Sequence, residues 1–191
     1  QTSGQCGNNL YWTLSDSTLT ITGFGAMYDY KYGETPWYSE NTSISAISLP
    51  QGLTHIGDYA FYYCRSLTSI TFPNRVTSIG SDAFFYCSSL SSMVVEEGNT
   101  TYDSRDNCNA IIKTASNTLI AGCQNTIIPN SVTSIGEYAF WNCSSLTSIV
   151  IPDGVTGIGY SAFINCSSLT SIVIGNSVTS IEEEAFSYCS S

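Results

Sequence analysis

The sequence predicts a mainly β solenoid, built of 23-residue coils that each carry short parallel strands and a single helical turn, with an N-terminal β-hairpin cap. Three observations lead there. The run Cys143-Ser144-Ser145-Leu146-Thr147-Ser148-Ile149-Val150-Ile151 returns almost unchanged from Cys166 to Ile174, and Cys189-Ser190-Ser191 begins it again. Self-similarity at a fixed period of this size marks stacked supersecondary units that bury their apolar faces only against one another. Within each repeat the apolar residues alternate and then stop at a proline, which is the pattern of a short strand. Residues 1–43 lack the repeat and read as an element that covers an open end.

The cap comes first. Leu10, Trp12 and Leu14 alternate with polar residues, as do Leu19 and Ile21, and Ser15-Asp16-Ser17 lies between them. Period-two alternation around a polar turn predicts a hairpin that ends at Gly23-Phe24-Gly25. An aromatic loop follows, and Trp12 and Trp37 are placed to cover the first coil.

The solenoid is predicted over residues 44–191. Its pattern is L-x-x-I-x-I-P, then V-x-x-I-G, then A-F-x-x-C. The first part suits a strand paired with the coils above and below, and the second a shorter extended piece on the opposite wall. Gly57, Gly80, Gly136 and Gly159 are expected to allow the turn that follows. A-F-x-x-C is read as one helical turn with Ala, Phe and Cys inward, which makes Cys64, Cys87, Cys143, Cys166 and Cys189 a buried row of reduced thiols.

One coil is interrupted at about residues 96–127. After a polar stretch, Cys108 to Lys113 and Thr118 to Cys123 flank Thr114-Ala115-Ser116-Asn117, which predicts a hairpin. If that turn holds four residues, Lys113 faces Thr118 and Cys108 faces Cys123. The reading stays open between a Cys108–Cys123 disulfide and two free thiols.

The phrase S-V-T-S-I-G-x-x-A-F-x-x-C-S-S-L-T-S-I-x-I-P, matched by Ser131 to Pro152, resembles the BspA-like leucine-rich repeat. Gly4-Gln5-Cys6-Gly7 through Leu14, with Gly25-Ala26-Met27-Tyr28, is similar to the segment that often precedes such repeats. The resemblance spans essentially the whole chain and implies a leucine-rich-repeat solenoid, exported or surface-attached in bacteria and some protists. It implies adhesion to host proteins or other cells. The family has no catalytic residue set, so none is carried over. The chain departs from the pattern in its interrupted third repeat and in Glu182, where other coils have Gly.

Composition narrows the partners. Fifteen acids against five bases give a net charge of −10, which offers no basic patch for phosphates and argues against nucleic acid or an anionic membrane. No apolar run approaches the roughly 18 residues of a membrane helix, so no membrane insertion is expected. Few charges, abundant Ser, Thr and Tyr, and a start at Gln1 rather than Met raise the expectation of an exported protein whose leader has been removed.

Candidate chemistry is sparse. His55 is the sole histidine and falls where other coils carry small residues, so it reads as an exposed wall residue; a Ser-His-Asp hydrolase would need it as base. The acids Glu96, Glu97, Asp103 and Asp106 lack the ligand spacing of a calcium loop. No cofactor motif is present. Two surface rows remain as partner-binding candidates. One is the outward strand face, with Ser69, Thr71, Ser92, Val94, Ser148, Val150, Ser171 and Val173. The other is an aromatic flank that includes Tyr62, Phe85 and Trp141, which either anchors a partner or merely covers the turns.

These features predict a non-catalytic, secreted or cell-surface binding module for a protein or glycan. The alternative is a structural spacer that self-associates. For the last coil, exposure of Leu169, Ile172, Ile174, Val178, Ile181, Ala185 and Phe186 is expected. That exposure would lead to end-to-end association or fraying, with Glu182-Glu183-Glu184 as a partial repulsive remedy.

Overall fold

The computed structural model describes residues 2–191. The fold is a mainly β repeat solenoid with almost no helix. It divides into two compact units, Gln1–Leu90 with Val95–Thr101 and Ser91–Val94 with Tyr102–Ser191. Among the described residues no helix is long and apolar enough to cross a membrane.

The first unit opens with three strands, β1 (Ser3–Gly7), β2 (Leu10–Ser15) and β3 (Thr18–Ala26), paired antiparallel in order. The hairpin is therefore β2–β3, and β1 adds a strand that its Gly- and Gln-rich sequence conceals. β3 also continues past Gly23 and Gly25, where the hairpin was expected to end. Positive φ at both glycines redirects the strand, so that Thr18–Thr20 pairs parallel with β4 (Ala46–Ser48) and Phe24–Ala26 with β5 (Gly52–Ile56). Trp12 meets Trp37 edge-on at 5.7 Å. Trp37 in turn stacks on Phe61 and donates its indole N–H to the Ala60 carbonyl at 2.8 Å. Its amphipathic ring seals the apolar row while its polar atom is satisfied.

An uninterrupted coil contributes two extended pieces, one to each wall. In the first unit these are β6 (Ser69–Phe72) and β7 (Ser78–Ile79), and β7 pairs parallel with β5. β8 (Ser92–Val95) carries residues of both units. The second unit begins with β9 (Tyr102–Asp103), β10 (Ala110–Lys113) and β11 (Thr118–Gly122), and β10 and β11 form a hairpin with Lys113 opposite Thr118. β11 then starts a parallel row that continues through β12 (Ser134–Ile135), β14 (Gly157–Ile158) and β16 (Ser180–Ile181). On the other wall β13 (Ser148–Ile151) pairs in register with β15 (Ser171–Ile174).

The A-F-x-x-C segments are not helical turns. One residue at positive φ precedes each Ala and another lies inside the segment, Tyr59 and Tyr63 in the first coil and Ser161 and Asn165 in a later one. That alternation points every second N–H along the stack: Tyr59, Phe61 and Tyr63 donate to Ser81, Ala83 and Phe85 of the next coil. The alternate N–H groups of Ala60, Tyr62 and Cys64 bond back to Gly57, Tyr59 and Phe61, so the segment is a ladder of turns bonded half within its own coil and half to the next. Nor do the repeat glycines serve a turn. None of Gly57, Gly80, Gly136 and Gly159 has a positive φ; a Cβ at Gly57 would overlap the Tyr28 carbonyl, and one at Gly159 would lie 2.8 Å from the Glu137 nitrogen. At Gly57, Gly80 and Gly159 a neighbouring backbone approaches too closely for a side chain, whereas at Gly136 the nearest atom, the Leu119 carbonyl oxygen, is 3.1 Å from a Cβ.

Phe140, Phe163 and Phe186 stack along the second unit at 4.7 and 5.2 Å, nearly parallel. Gly122 sits beneath this column, and its missing side chain leaves the room that the Phe140 ring fills. The cysteine thiols bond to the same turn ladder. Cys87, Cys166 and Cys189 donate to the carbonyls of Phe61, Phe140 and Phe163 at 3.2–3.3 Å. Cys64, Cys87 and Cys166 are buried, whereas Cys143 and Cys189 are partly exposed. Burial pushes the Cys64 and Cys166 thiols up to about 12. At pH 8 each is then thiolate in only about one molecule in ten thousand. Native-state labelling with a thiol reagent is expected to modify Cys189 first and to leave Cys64, Cys87 and Cys166 unmodified. Rapid labelling of Cys64 would contradict the inward orientation of the row.

Cys108 and Cys123 are free thiols. A bulge between Ile111 and Ile112 shifts the hairpin register by one residue, so Ala110 faces Gly122 and the two cysteines no longer oppose each other. Cys123 donates instead to the Asn109 carbonyl at 3.3 Å.

In the last coil Ile174 is 40 % and Ile181 50 % exposed, where their counterparts Ile151 and Ile158 are each 1 % exposed. Leu169 and Ala185, expected to be exposed, are buried, because they pack back into the core shared with Phe163 and Cys166.

Candidate functional site

The two predicted rows present themselves differently. On β6, Ser69 and Thr71 are exposed while Ile70 and Phe72 point inward. On β8, Val94 is exposed but Ser92 is half-buried. In the second unit Ser148 and Val150 of β13 lie directly beside Ser171 and Val173 of β15. Ser148 and Ser171 are exposed; Val150 is 59 % and Val173 56 % exposed.

Val150, Val173 and Ile174 open onto a shallow groove of about 530 Å³. Its polar side is formed by Asn130, Asp153 and Asn176, which recur at equivalent places of successive coils. Asp153 accepts a hydrogen bond from the Asn176 backbone N–H at 2.8 Å, which fixes one carboxylate oxygen. The arrangement offers an apolar floor beside amide and carboxylate groups, suited to binding and without a nucleophile–base pair. Sequence reasoning named the two valines but missed Asn130, Asp153 and Asn176. Reading the residue that follows I-P or I-G down the coils would have shown an Asn/Asp row.

The aromatic flank is partly buried. Tyr62, Phe85 and Trp141 are all half-buried. Trp141 packs edge-on against Tyr138 at 5.1 Å, and Tyr138 meets Tyr160. In the second unit these rings cover the turns. In the first unit they belong to a larger tyrosine cluster.

His55 is half-buried rather than exposed. It lies between Asp29 (Nε2–Oδ1 2.9 Å) and Ser78 (Nδ1–Oγ 2.6 Å). The trio has the composition of a hydrolase triad but a different setting. Asp29 is 61 % exposed, so its charge is screened, and its Oδ1 also accepts the Asp58 N–H at 3.0 Å. The bond to His55, then that from Asp58, hold the Asp29 carboxyl below the usual range. Ser78 is the ordinary wall residue one coil along, as Ser134 is beside Thr118 at 2.9 Å. The trio pins the cap loop to the first coil. Asp103 is likewise committed: burial opposes its charge, but the Arg105 guanidinium, gripping both oxygens at 2.6–2.7 Å, and Thr114 outweigh this and hold its carboxyl low. Among the described residues no cluster of three His, Cys, Asp or Glu side chains could hold a metal.

Six copies of the BspA type leucine-rich repeat region match this sequence, over residues 37–119 and 111–191. The chain belongs to the BspA-type leucine-rich-repeat family. Two solved structures place this BspA-type chain among bacterial folds of the same kind. The pneumococcal vaccine antigen PcpA is 18 % identical over 97 % of this chain and 73 % of that one, with a TM-score of 0.60. A leucine-rich cell surface protein from Faecalibacterium prausnitzii A2-165 is 19 % identical over 99 % and 86 %, with a TM-score of 0.55. At these identities the likeness concerns the fold. None of the curated proteins matches the chain. BspA-type repeats are typically non-catalytic.

Proposed function

We propose that this chain is a non-catalytic binding module of a secreted or cell-surface protein, adhering to a protein or glycan on another cell through the strand face of its second unit. The observation that carries the reading is the in-register pair Val150 and Val173, both more than half exposed, beside the Asn130–Asp153–Asn176 rim. An apolar centre rimmed by hydrogen-bonding groups has the anatomy of an interface. The description of one structural neighbour as a cell surface protein supports the location. The test is a host-protein and glycan array probed with the wild-type chain and with Val150→Arg. Both valines face outward, so the variant should fold normally and lose binding by about tenfold or more. Equal binding by the two, or no saturable binding by the wild type, would overturn the reading.

A second reading, a spacer that associates end to end, is favoured by the uncovered Ile174 and Ile181 of the last coil. Sedimentation velocity across a range of concentrations decides it. Concentration-dependent dimers abolished by Ile181→Glu support self-association, and a monomer throughout excludes it.

A further inference from the structure

Six tyrosines gather on one flank of the first unit. Tyr32 comes from the cap loop, Tyr38 from the 3-10 turn Tyr38–Ser43, Tyr59, Tyr62 and Tyr63 from the first turn ladder, and Tyr86 from the second. Tyr62 is the hub, with ring centroids 5.2 Å from Tyr32, 5.5 Å from Tyr59, 5.2 Å from Tyr63 and 5.5 Å from Tyr86. Tyr63 and Tyr86 meet at 4.6 Å. The core does not call for these rings, since Ala60, Phe61, Cys64 and Ala83 fill the inward places of the same turns. The backbone does not call for them either. Tyr63 and Tyr86 hold positive φ at a position where the second unit uses Asn142 and Asn165, which tolerate that conformation at lower cost. Bulky tyrosines at a strained backbone position, in contact with one another and reaching the surface at Tyr32 (59 % exposed), are explained by what the surface does.

The charge around the cluster points to one ligand chemistry. The Tyr59 phenol donates to Asp82, and Asp58 is also near enough to disfavour a phenolate there. Burial pushes Tyr62 up to about 12, so its ring stays neutral at working pH. The cation that the cluster holds is the chain's own: the Arg65 guanidinium carbon lies 4.2 Å over the Tyr63 ring centroid. The chain as a whole carries −10. We propose that this tyrosine patch is a second interaction surface, which binds an arginine-bearing segment of a partner protein by stacking guanidinium groups on the rings as Arg65 already does, beside Asp58 and Asp82. Guanidinium suits the site better than ammonium because it is planar, stacks on aromatic faces and sheds water more easily.

The test titrates the full chain with hexa-arginine, hexa-lysine, an uncharged Gly/Ser hexapeptide and a neutral oligosaccharide at physiological salt, following tyrosine ring resonances. Hexa-arginine should saturably shift Tyr32 and Tyr62 and bind about threefold or more tighter than hexa-lysine. Tyr32→Ala should weaken that binding about threefold or more, and Tyr32→Phe, which keeps the ring, should restore it. Tyr32 is exposed, so neither variant threatens the fold. Val150→Arg on the other unit should leave this binding unchanged, which separates the proposal from the strand-face reading. Equal affinity for the two cationic peptides with no effect of Tyr32→Ala would reduce the interaction to net charge and overturn the proposal. Preferential binding of the oligosaccharide would also overturn it, in favour of a glycan surface.

Discussion

Phe163→Ala is expected to destabilise the second unit by about 3–5 kcal/mol, the cost of emptying a fully buried phenylalanine site. Phe163 stands between two nearly parallel neighbours, at 4.7 Å from Phe140 and 5.2 Å from Phe186. Its removal therefore opens both coil interfaces at once, and in a repeat protein the interfaces between neighbours carry the stability. The backbone ladder cannot collapse into the gap, because Phe163 N–H already bonds to the Ala185 carbonyl at 2.7 Å. Urea denaturation followed by circular dichroism measures the effect. Phe186→Ala, at a half-buried site with one stacked neighbour, should cost clearly less. Equal losses from the two variants would contradict the stacking account.

Gly57→Ala should cost about 3 kcal/mol, at the upper end of what overpacking produces, although it adds only a methyl group. The new Cβ would overlap the Tyr28 carbonyl oxygen, a backbone atom that no rotamer change can move. Tyr28 is held in place, since its N–H bonds to the Cys6 carbonyl at 2.8 Å and the adjacent Asp29 is pinned by His55 and Asp58. The cap must therefore shift away from the first coil. Thermal unfolding of the variant, together with loss of the Trp37 near-ultraviolet signal, would show it. Glu182 supplies the contrast. It occupies the same repeat position in the last coil, and its carboxylate accepts the Tyr160 N–H at 3.0 Å. A Gly57→Ala protein as stable as wild type would mean that the cap can shift away from the first coil at little cost.

How much of this was legible beforehand differs from one element to the next. The two wall strands were readable because strand periodicity is local: Ser69 to Phe72 alternates in sequence as it does in burial. The hairpin at Lys113 and Thr118 was readable from its polar turn. The fate of Cys108 and Cys123 was not, because one bulged residue changes every pairing beyond it and the sequence does not mark where a bulge will fall. A-F-x-x-C misled because its spacing fits a helical turn equally well, and only the neighbouring coil shows that every second N–H group points along the stack. The groove rim and the tyrosine cluster share this character. Asn130, Asp153 and Asn176 are far apart in sequence and adjacent only after stacking, and Tyr32 reaches Tyr62 only because the cap loop folds back on the first turn.

The sequence by itself determined the period and the residues that face inward at each strand, because both patterns are written in the consecutive residues of one coil. The tertiary structure alone decided the backbone of the turns, the reason for each repeat glycine, the state of the hairpin thiols and the surfaces available to a partner. Those properties arise from contacts one coil away, where the approach of two backbones sets what fits, and a single sequence carries no record of that distance.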